Sequence, residues 1–518
     1  MAPALISEWI ESGCLPNLAR LRDRGAWGTV LNPPRFFSGA SWPNFYTGQV
    51  PARHDQYLRT IYDPKTCDHQ PLRPRVDRVE AFWLSEDWRA KRTAVVNLPY
   101  CPIDPRLNGP QVFDWYSHDR DHKGPAQVSD GRSASPRLDL PPVNCYTVES
   151  TVAGFAEFRD RLLQRIRQKS EVARRILEAE HWDLFVTGMD EAHCAGHQLW
   201  HVHDAAHPRH DPRAAGTLGD PIKDIYVEID RAFGKVVDAL GADATILFLS
   251  SHGMGPAFDG NGLLDEVLRR IDGLAPRAPS ETQARMQNLA QWRRVFDGLP
   301  RPVQGILAPL RRRFGRKMMS EKRGAEARTR RCFWLPTHDL HGGIRVNLAG
   351  READGLVQPG REYETFVARL IHDLHQLRDS RTGEPVVADV VRAVDVDPQG
   401  YAGERPDLVV RWRQASFAAI ESPKTGRIES ALVYGRTGDH PPEMEGVFFF
   451  AAAGVVPGRL PAAVRLEDFA PTISRWFGIE LTDTAGVVIA NLCTGNGESR
   501  FPAPLRSQAR ASRARTSH

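Results

Sequence analysis

Residues 155–189, FAEFRDRLLQRIRQKSEVARRILEAEHWDLFVTGM, decide the fold of this chain, because a long amphipathic helix pattern runs directly into a short apolar strand pattern. The same order then repeats: residues 222–240, IKDIYVEIDRAFGKVVDAL, predict a second helix, and residues 244–250, ATILFLS, predict a second buried strand. Two successive helix–strand units are typical of a parallel sheet that is covered by helices on both faces. The sequence therefore predicts an α/β fold with a mostly parallel central sheet.

The composition is that of a globular protein. A length of 518 residues is enough for about two to four domains, and 41% of the residues are hydrophobic while 25% are charged. A net charge of +4 is too small to indicate a nucleic-acid or membrane partner. The chain has no apolar run of the roughly 18 residues that a membrane span needs, and its first residues do not form a signal-peptide pattern. Seven scattered cysteines without a C-x-x-C pair indicate reduced thiols, so we expect a cytoplasmic protein of open oligomeric state.

Changes of pattern along the chain divide it into four parts. Residues 1–255 alternate helix and strand patterns and are predicted to form the core, whereas residues 256–335 form a basic helical insertion. This insertion is interpreted either as a solvated helical face, as charge runs usually are, or as a lid that attracts an anionic substrate. Strand patterns return over residues 336–495, which continue the core, and residues 496–518 are predicted to be a disordered basic tail.

Histidines lie beside three of the predicted strands, at the edge where parallel strands carry functional loops. His193 and His197 follow DLFVTGM, His252 follows ATILFLS, and His440 precedes GVFFFAAAG. If the first loop is helical, His193 and His197 share one face with Cβ atoms roughly 5–6 Å apart. Together with His440 they supply three imidazoles, which is how catalytic zinc is commonly held. The alternative is that each histidine is hydrogen-bonded and structural, as a single histidine at a strand end usually is.

Residues 41–44, Ser-Trp-Pro-Asn, indicate the start of a helix. Serine is a good N-cap because its hydroxyl accepts from a free backbone N–H group, and Pro43 suits the first turn. The same free N–H groups and the positive helix end also attract anions. Ser41 is therefore interpreted either as a helix cap alone or as the residue at which a phosphate or sulfate group binds.

Taken together, these motifs resemble the alkaline phosphatase superfamily, and specifically its type I phosphodiesterase/nucleotide pyrophosphatase branch. The nucleophile motif of that branch is a Thr or Ser followed by an aromatic residue, Pro and Asn, and it is matched by SWPN at residues 41–44. Its continuation fits Thr47-Gly48 and the segment from Pro51 to His54. The resemblance implies an alkaline phosphatase-like α/β fold.

Three further motifs of the family align with the histidine loops. HCAGH at residues 193–197 aligns with D-x-x-x-H, SHGM at residues 251–254 aligns with D-H-G-M, and GDHPPEMEG at residues 438–446 aligns with the last histidine segment. The resemblance covers residues 1–495 apart from the basic insertion. The motifs are specific jointly and not singly.

The resemblance implies a metal-dependent hydrolase of phosphate mono- or diesters, whose partner is an anionic phosphoester substrate. Ser41 would attack the phosphorus and form a covalent phospho-enzyme, once a metal lowers the pKa of its hydroxyl. Asn44 would donate to a non-bridging oxygen of the transition state. The implied metal ligands are His193, His197 and His440 around one divalent ion, which we expect to be zinc, and His252 at a second metal beside Ser41.

Two departures from the family pattern put the second metal site in question. Family members begin with a strand that ends in aspartate, shortly before the segment matched by residues 3–25. Either the true start lies upstream, which we expect because a missing strand would expose the apolar interior of the sheet, or the protein lacks this strand. Ser251 also stands where the family has an aspartate ligand. Glu191 is a candidate ligand or base that could compensate, and its alternative is a surface acid. The rival hypothesis is a catalytically degenerate member that binds an anionic ligand or a partner without turnover.

Two loops contain weaker candidates for substrate contact. His118 and Asp119 lie in FDWYSHDRDHKG, residues 113–124, which packs aromatic, acidic and histidine side chains together. His341 lies in PTHDLHGG, residues 336–343. For each of them, a hydrogen-bonded structural role is the alternative.

A sulfatase fits the sequence less well. Sulfatases of this superfamily need Cys or Ser, any residue, Pro, any residue and Arg, so that the first residue is converted into formylglycine, and here Phe45 occupies the arginine position. We predict that Ser41 remains a serine, and that mass spectrometry of the tryptic peptide of residues 36–53 gives its unmodified mass. Detection of formylglycine at residue 41 would contradict this prediction and support a sulfatase.

Overall fold

The protein is described by a computed structural model of the 518-residue chain. The described residues are 1–32, 41–54, 60–65, 67–71, 80–101, 103–113, 127–129, 148–207, 209–241, 243–257, 260–276, 326–335, 341–396, 405–413, 419–429, 436–440 and 445–493. Most of the predicted basic insertion, residues 277–325, and the predicted tail therefore lie outside the described residues.

Helices and strands alternate along the described residues. The α-helices are α1 Pro3–Glu11, α2 Pro16–Arg24, α3 Ser41–Thr47, α4 Pro51–His54, α5 Val152–Ala179, α6 Glu191–His203, α7 Pro212–Leu218, α8 Pro221–Asp238, α9 Gly260–Ile271, α10 Arg361–His375, α11 Ala393–Val396 and α12 Phe469–Trp476. The strands are β1 Ala26–Leu31, β2 Thr60–Asp63, β3 Asp68–Pro71, β4 Thr93–Val96, β5 Gln111–Phe113, β6 Gln127–Ser129, β7 Leu184–Thr187, β8 Ile246–Ser250, β9 Gly255–Pro256, β10 Cys332–Leu335, β11 His341–Val346, β12 Arg378–Asp379, β13 Val387–Arg392, β14 Leu408–Trp412, β15 Ala419–Ser422, β16 Gly426–Glu429, β17 Gly438–Asp439, β18 Gly446–Ala451, β19 Gly458–Arg459 and β20 Val464–Arg465. Short 3-10 helices cover Phe82–Leu84, Glu86–Trp88, Leu466–Asp468 and Ala490–Leu492.

The chain forms two compact units. The first consists of Met1–Gln56, Arg73–Ala257 and Gly435–His518, and the second consists of Tyr57–Leu72 and Phe258–Tyr434. None of the helices in the described residues is long and apolar enough to cross a membrane.

The first unit contains two main sheets. One has the strand order β19-β1-β18-β8, with β20 also paired to β1, and the other has the order β6-β5-β4-β7. The central strand β18 is buried at every position and lies in register with β8, so that Phe448 is paired with Leu249. A separate two-stranded ladder joins β17 to β9 and pairs Asp439 with Gly255.

The predicted α/β class is confirmed, and the predicted parallel pairing is present in part. β4 pairs in parallel with β5 and β7, whereas β18 runs antiparallel to both β1 and β8. In the described residues β7 and β8 lie in separate sheets, and both are largely half-buried instead of fully buried. The direction of β18 is given by its pairing with β1 and β8, which are remote in sequence, so the local sequence pattern does not encode it.

Capping and apolar periodicity explain the two long helices that lead into β7 and β8. At the start of α8 the Asp220 side chain accepts from the backbone N–H groups of Ile222 and Lys223, and a proline occupies the first position. At the start of α5 the Thr151 side chain accepts from Gly154 N–H. Both helices bury one apolar face in the same core cluster, which includes Phe158, Leu162, Ile166, Ile225, Tyr226 and Ile229.

The second unit contains an antiparallel sheet and two smaller ladders. The sheet has the order β10-β11-β14-β13, and the ladders are β12-β15-β16 and β2-β3. Helices α9 and α10 contribute Leu264 and Val367 to the apolar core of this unit, beside Trp412 of β14. The unit therefore has its own hydrophobic core.

Four buried charged side chains join α5 to the start of α6. Lys169 lies 2.7 Å from Glu191 and also pairs with Asp190, and Arg165 lies 2.8 Å from Glu191. Burial raises the pKa of the Glu191 carboxyl, while Lys169 and Arg165 lower it. Ions removed from water depend on their partners, so this cluster fixes the position of α6 against α5.

We predict that Lys169→Met lowers the free energy of unfolding by about 3–5 kcal/mol, because two buried carboxylates then face a single cation. Guanidinium unfolding followed by circular dichroism measures the loss. Arg175→Met on the same helix is the matched control, because Arg175 is 73% exposed and pairs with Glu171 at the surface, where ion pairs contribute little. Equal losses of unfolding free energy in the two variants would show that the buried cluster stabilises the fold no more than a surface ion pair does.

Candidate active site and metal centre

His193 and His197 face each other on α6, the helix that follows β7. Their Nε2 atoms are 3.2 Å apart, as the four-residue spacing on one helical face predicts. Two nitrogens bound to one zinc at about 2.0–2.1 Å in tetrahedral geometry lie roughly 3.3 Å apart. The pair therefore has the spacing of two ligands of a common ion.

His440 and His252 join this pair from two other loops. One ligand atom from each of His193, His252 and His440 lies within 4.8 Å of the other two. The ring centroids of His252 and His440 are 4.2 Å apart, and those of His197 and His440 are 5.2 Å apart. The structure thus brings together all four histidines that the sequence predicts as ligands.

The outer nitrogens of three of these rings are occupied. Nδ1 of His197 lies 2.7 Å from the carbonyl oxygen of Gly438, and Nδ1 of His440 lies 2.9 Å from that of Gly253. Because carbonyl oxygens only accept, both Nδ1 atoms must donate, so in each neutral ring Nε2 is the unprotonated nitrogen, which is the form that binds a metal. Nδ1 of His252 lies 2.9 Å from Oγ of Ser251. This outer support is what histidine ligands of a metal normally have.

Burial keeps two of these imidazoles, those of His440 and His252, neutral. It lowers the pKa of His440 to about 3 and, with a smaller contribution from His440, lowers the pKa of His252 well below its usual value. Metal ligands must be deprotonated, so the neutral rings suit a divalent cation. The donor set of the site therefore fits zinc, for which imidazole nitrogen is a preferred ligand.

Close backbone packing makes this convergence possible. The Thr437 N–H group donates to the His197 carbonyl oxygen at 2.6 Å, so the segment that carries His440 lies against α6. A Cβ atom at Gly196 would lie 2.6 Å from Cγ of Met254, so a larger residue on α6 at this point would displace the Met254 side chain. Glycine thus allows the loop after β8 to approach the helix.

Asp439 is a candidate ligand that the sequence analysis did not identify. Asp439, His197 and His440 form a second group of ligand atoms that lie within 4.8 Å of one another. Burial raises the pKa of its carboxyl to about 6, although Arg436 and the His440 N–H group oppose that rise. Its direct sequence neighbour His440 was the available signal.

Ser41 lies at the start of α3 and is fully buried. Its Oγ donates to Oδ1 of Asn32 at 2.7 Å, and Nδ2 of Asn32 donates to the carbonyl oxygen of Ser251. Asn32 thus links Ser41 to the loop that carries His252. Asn32 follows β1 directly and precedes two prolines in the sequence, and no sequence signal pointed to it.

Asn44 lies one turn after Ser41 and is held on both sides of its amide. Its Oδ1 is 2.7 Å from Nε2 of His54, and its Nδ2 is 3.5 Å from Oε2 of Glu467. His54 closes the motif that the family resemblance covers, whereas Glu467 comes from a remote 3-10 helix and was not predicted as a site residue.

The remaining predicted site residues have different placements. Glu191 is fully buried in ion pairs with Arg165 and Lys169, so it is not the surface acid that the alternative interpretation assumed. Among the described residues it belongs to neither group of candidate metal ligands. His341 lies buried on β11 of the second unit. His118 and Asp119 lie outside the described residues.

Ser251, the residue at the family's aspartate position, contributes no carboxylate to the site. Its hydroxyl contacts the His252 ring and its carbonyl oxygen accepts from Asn32. In the part of the chain that the structure describes, Asp439 is the one carboxylate within the two candidate ligand groups. The surroundings of Ser41 given by these contacts are therefore neutral.

Comparison with known proteins provides the family. No curated protein matches the sequence. Among solved structures, phosphonoacetate hydrolase from Sinorhizobium meliloti 1021, in complex with phosphonoformate, is similar with 15% identity and a TM-score of 0.47, over 90% of this chain and 91% of that chain. Human ectonucleotide pyrophosphatase/phosphodiesterase 5 is similar with 10% identity and a TM-score of 0.47, over 93% of this chain and 94% of that chain. The model of the type I phosphodiesterase/nucleotide pyrophosphatase family matches residues 1–410, and this chain therefore belongs to that family.

Proposed function

We propose that this chain is a metal-dependent hydrolase of phosphate esters that uses Ser41 as its nucleophile. The observation that carries the proposal is the convergence of four imidazoles from α6 and two loops, together with a buried serine that Asn32 links to the loop of His252. Membership of a phosphodiesterase family supports a phosphoester as the substrate. The proposal includes hydrolysis of diesters and monoesters, which the same centre could accept.

The proposed metal is a single zinc ion held by His193, His197 and His440. His440 belongs to both groups of candidate ligand atoms, one with His193 and His252 and the other with His197 and Asp439, which supports one shared centre over two separate ones. When bound, zinc supplies a Lewis acid that polarises a phosphoryl oxygen and lowers the pKa of a nearby alcohol or water.

The chain's own residues orient the reacting groups. Asn32 Oδ1 accepts the hydroxyl hydrogen of Ser41, which aims an oxygen lone pair away from Asn32. The amide oxygen is too weak a base to keep this proton. Attack forms the bond between Ser41 Oγ and phosphorus and breaks the ester bond, and the proton lost by the serine is balanced by protonation of the leaving alkoxide. Water then cleaves the bond between Ser41 Oγ and phosphorus, which regenerates the hydroxyl and releases a phosphate monoester from a diester, or phosphate from a monoester.

The neutral environment of Ser41 favours a second candidate, a protein that binds a phosphate-like anion without turnover. Asn32 and Ser251 contribute no negative charge beside the serine, so they would attract a second activating cation poorly. The two candidates share the metal centre and differ in whether Ser41 forms a covalent bond.

We predict that Ser41→Ala lowers the turnover of bis(4-nitrophenyl) phosphate by about 10³-fold or more, because no other group replaces the nucleophile. Metal content and melting temperature are expected to stay near those of the wild type. Ser12→Ala, which changes an exposed serine of the same unit, is the matched control. Unchanged turnover in Ser41→Ala would refute the nucleophile, and a zinc-loaded wild type without turnover would support the binding protein.

We also predict one zinc ion per chain by inductively coupled plasma mass spectrometry after dialysis against zinc. His197→Gln should weaken zinc binding by at least about tenfold, since it removes one of three nitrogen ligands. His203→Gln on the same helix, whose ring pairs with Asp220 at 2.8 Å, should bind zinc as the wild type does. Two ions per chain would contradict the single centre, and equal zinc affinity in both variants would contradict the ligand assignment.

A further inference from the structure

The amide of Asn44 lies between two buried groups of opposite hydrogen-bonding character. Asn44 is 0% exposed and His54 is 2% exposed. One side of the amide meets the His54 ring at 2.7 Å, and the other side meets the Glu467 carboxylate at 3.5 Å. An asparagine amide has one accepting end and one donating end, so its neighbours decide which way it points.

Glu467 determines the orientation of the amide. Its other carboxylate oxygen lies 3.3 Å from Nη1 of Arg465, which opposes the rise in pKa that burial causes. An ionised carboxylate only accepts hydrogen bonds, so the side of Asn44 that faces it must be the NH₂ group. The oxygen of the amide then faces His54, and Nε2 of His54 must be the donor.

The state of the His54 ring agrees with this assignment. Burial lowers the pKa of His54 to about 3, so the ring is neutral at ordinary pH and carries one N–H group. The short contact to Asn44 Oδ1 places that hydrogen on Nε2. The bond between them is therefore one between neutral groups in a buried site, where a lost partner is costly.

In this arrangement Asn44 has an N–H group that its hydrogen bond to Glu467 does not use. Its NH₂ group carries two hydrogens, and within the described residues its hydrogen bond to Glu467 uses one of them at the long distance of 3.5 Å. The second hydrogen can be donated to a ligand oxygen. If the long hydrogen bond to Glu467 breaks, both hydrogens can be donated. If the Asn44 amide were rotated by half a turn, its oxygen would take the place of the NH₂ group. That oxygen would then face the ligand oxygen and repel it.

We propose that His54 is a positioning residue, which by donating from Nε2 to Asn44 Oδ1 keeps the Asn44 NH₂ group directed at the non-bridging oxygens of the phosphoryl group. This inference rests on the proposed function, since it assumes that the anion binds beside Ser41. His54 acts through Asn44 and needs no contact with the substrate. The Asn44 donor contributes most where charge develops on the oxygens, so a loss of orientation reduces kcat more than it changes KM.

The test uses a matched pair of substitutions in the zinc-loaded full chain. His54→Gln places a donating amide nitrogen near the position of Nε2, and His54→Met has similar length without a donor. With bis(4-nitrophenyl) phosphate we expect His54→Met to lower kcat by about tenfold or more at little changed KM, and His54→Gln to stay within about threefold of the wild type. Tyr46→Phe, which removes the bond of another α3 side chain to the Tyr100 carbonyl oxygen, is the control and should leave kcat unchanged.

A double-mutant cycle separates positioning from general support of the fold. If His54 acts through Asn44, then His54→Met has no further effect on kcat in the Asn44→Ala background, and the two losses are not multiplied. Isothermal titration with inorganic phosphate gives a second measurement, in which His54→Met and Asn44→Ala are expected to weaken binding by a similar factor. Circular dichroism and zinc analysis confirm that each variant is folded and loaded.

Three results would overturn the inference. They are multiplied losses in the double variant, a His54→Gln variant as impaired as His54→Met, or wild-type kcat and phosphate affinity in His54→Met. If the His54→Met variant does not fold, the His54→Gln variant is compared with the wild type instead. A loss of kcat of about tenfold or more in His54→Gln then contradicts the donor role of His54. If Ser41→Ala keeps full activity, the proposed function fails instead, and the phosphate titration still reports on the His54–Asn44 pair.

Discussion

The candidate centre depends on two hydrogen bonds that join α6 to the segment before His440. The Thr437 N–H group donates to the His197 carbonyl oxygen at 2.6 Å, and Nδ1 of His197 donates to the Gly438 carbonyl oxygen at 2.7 Å. The same histidine is thus a candidate ligand and the attachment point of the next ligand's loop. His440 then donates from Nδ1 to Gly253, which ties in the loop that carries His252. Without this set of bonds the four imidazoles would belong to helix α6 and two independent loops.

Charge is the second constraint on the site. In the proposed centre three neutral imidazoles leave the full charge of a divalent cation uncompensated, which favours an anionic phosphoester. The neutral contacts of Ser41, through Asn32 and Ser251, favour anion binding but help little to activate the hydroxyl. Anion binding therefore favours neutral groups beside Ser41, whereas activation of its hydroxyl favours negatively charged groups that would attract a second cation. The site has carboxylates nearby in Glu467 and Asp439, but they face Asn44 and His197.

Local sequence patterns predicted a large part of both fold and site. The helices before β7 and β8, the helix that starts at Ser41, and the four-residue spacing of His193 and His197 follow from periodicity and capping, which act between neighbours in the chain. The antiparallel insertion of β18 and the separation of β7 from β8 did not follow, because strand pairing is decided by residues hundreds of positions apart. Asn32 and Glu467 were missed for the same reason, since their partners Ser251 and Asn44 lie 219 and 423 positions away in the sequence.

The sequence by itself determined which side chains could serve as ligands and nucleophile, and that those on α6 would share one face, because a helix has a fixed repeat. Only the tertiary structure decided that His252 joins the same group as His193 and His440, that Glu191 is buried in an ion cluster, and that Asn44 is held between His54 and Glu467. These outcomes depend on how separate segments pack and on which polar groups lose water when they do. Desolvation forces each buried polar atom to find a partner, and the identity of that partner is a property of the folded molecule.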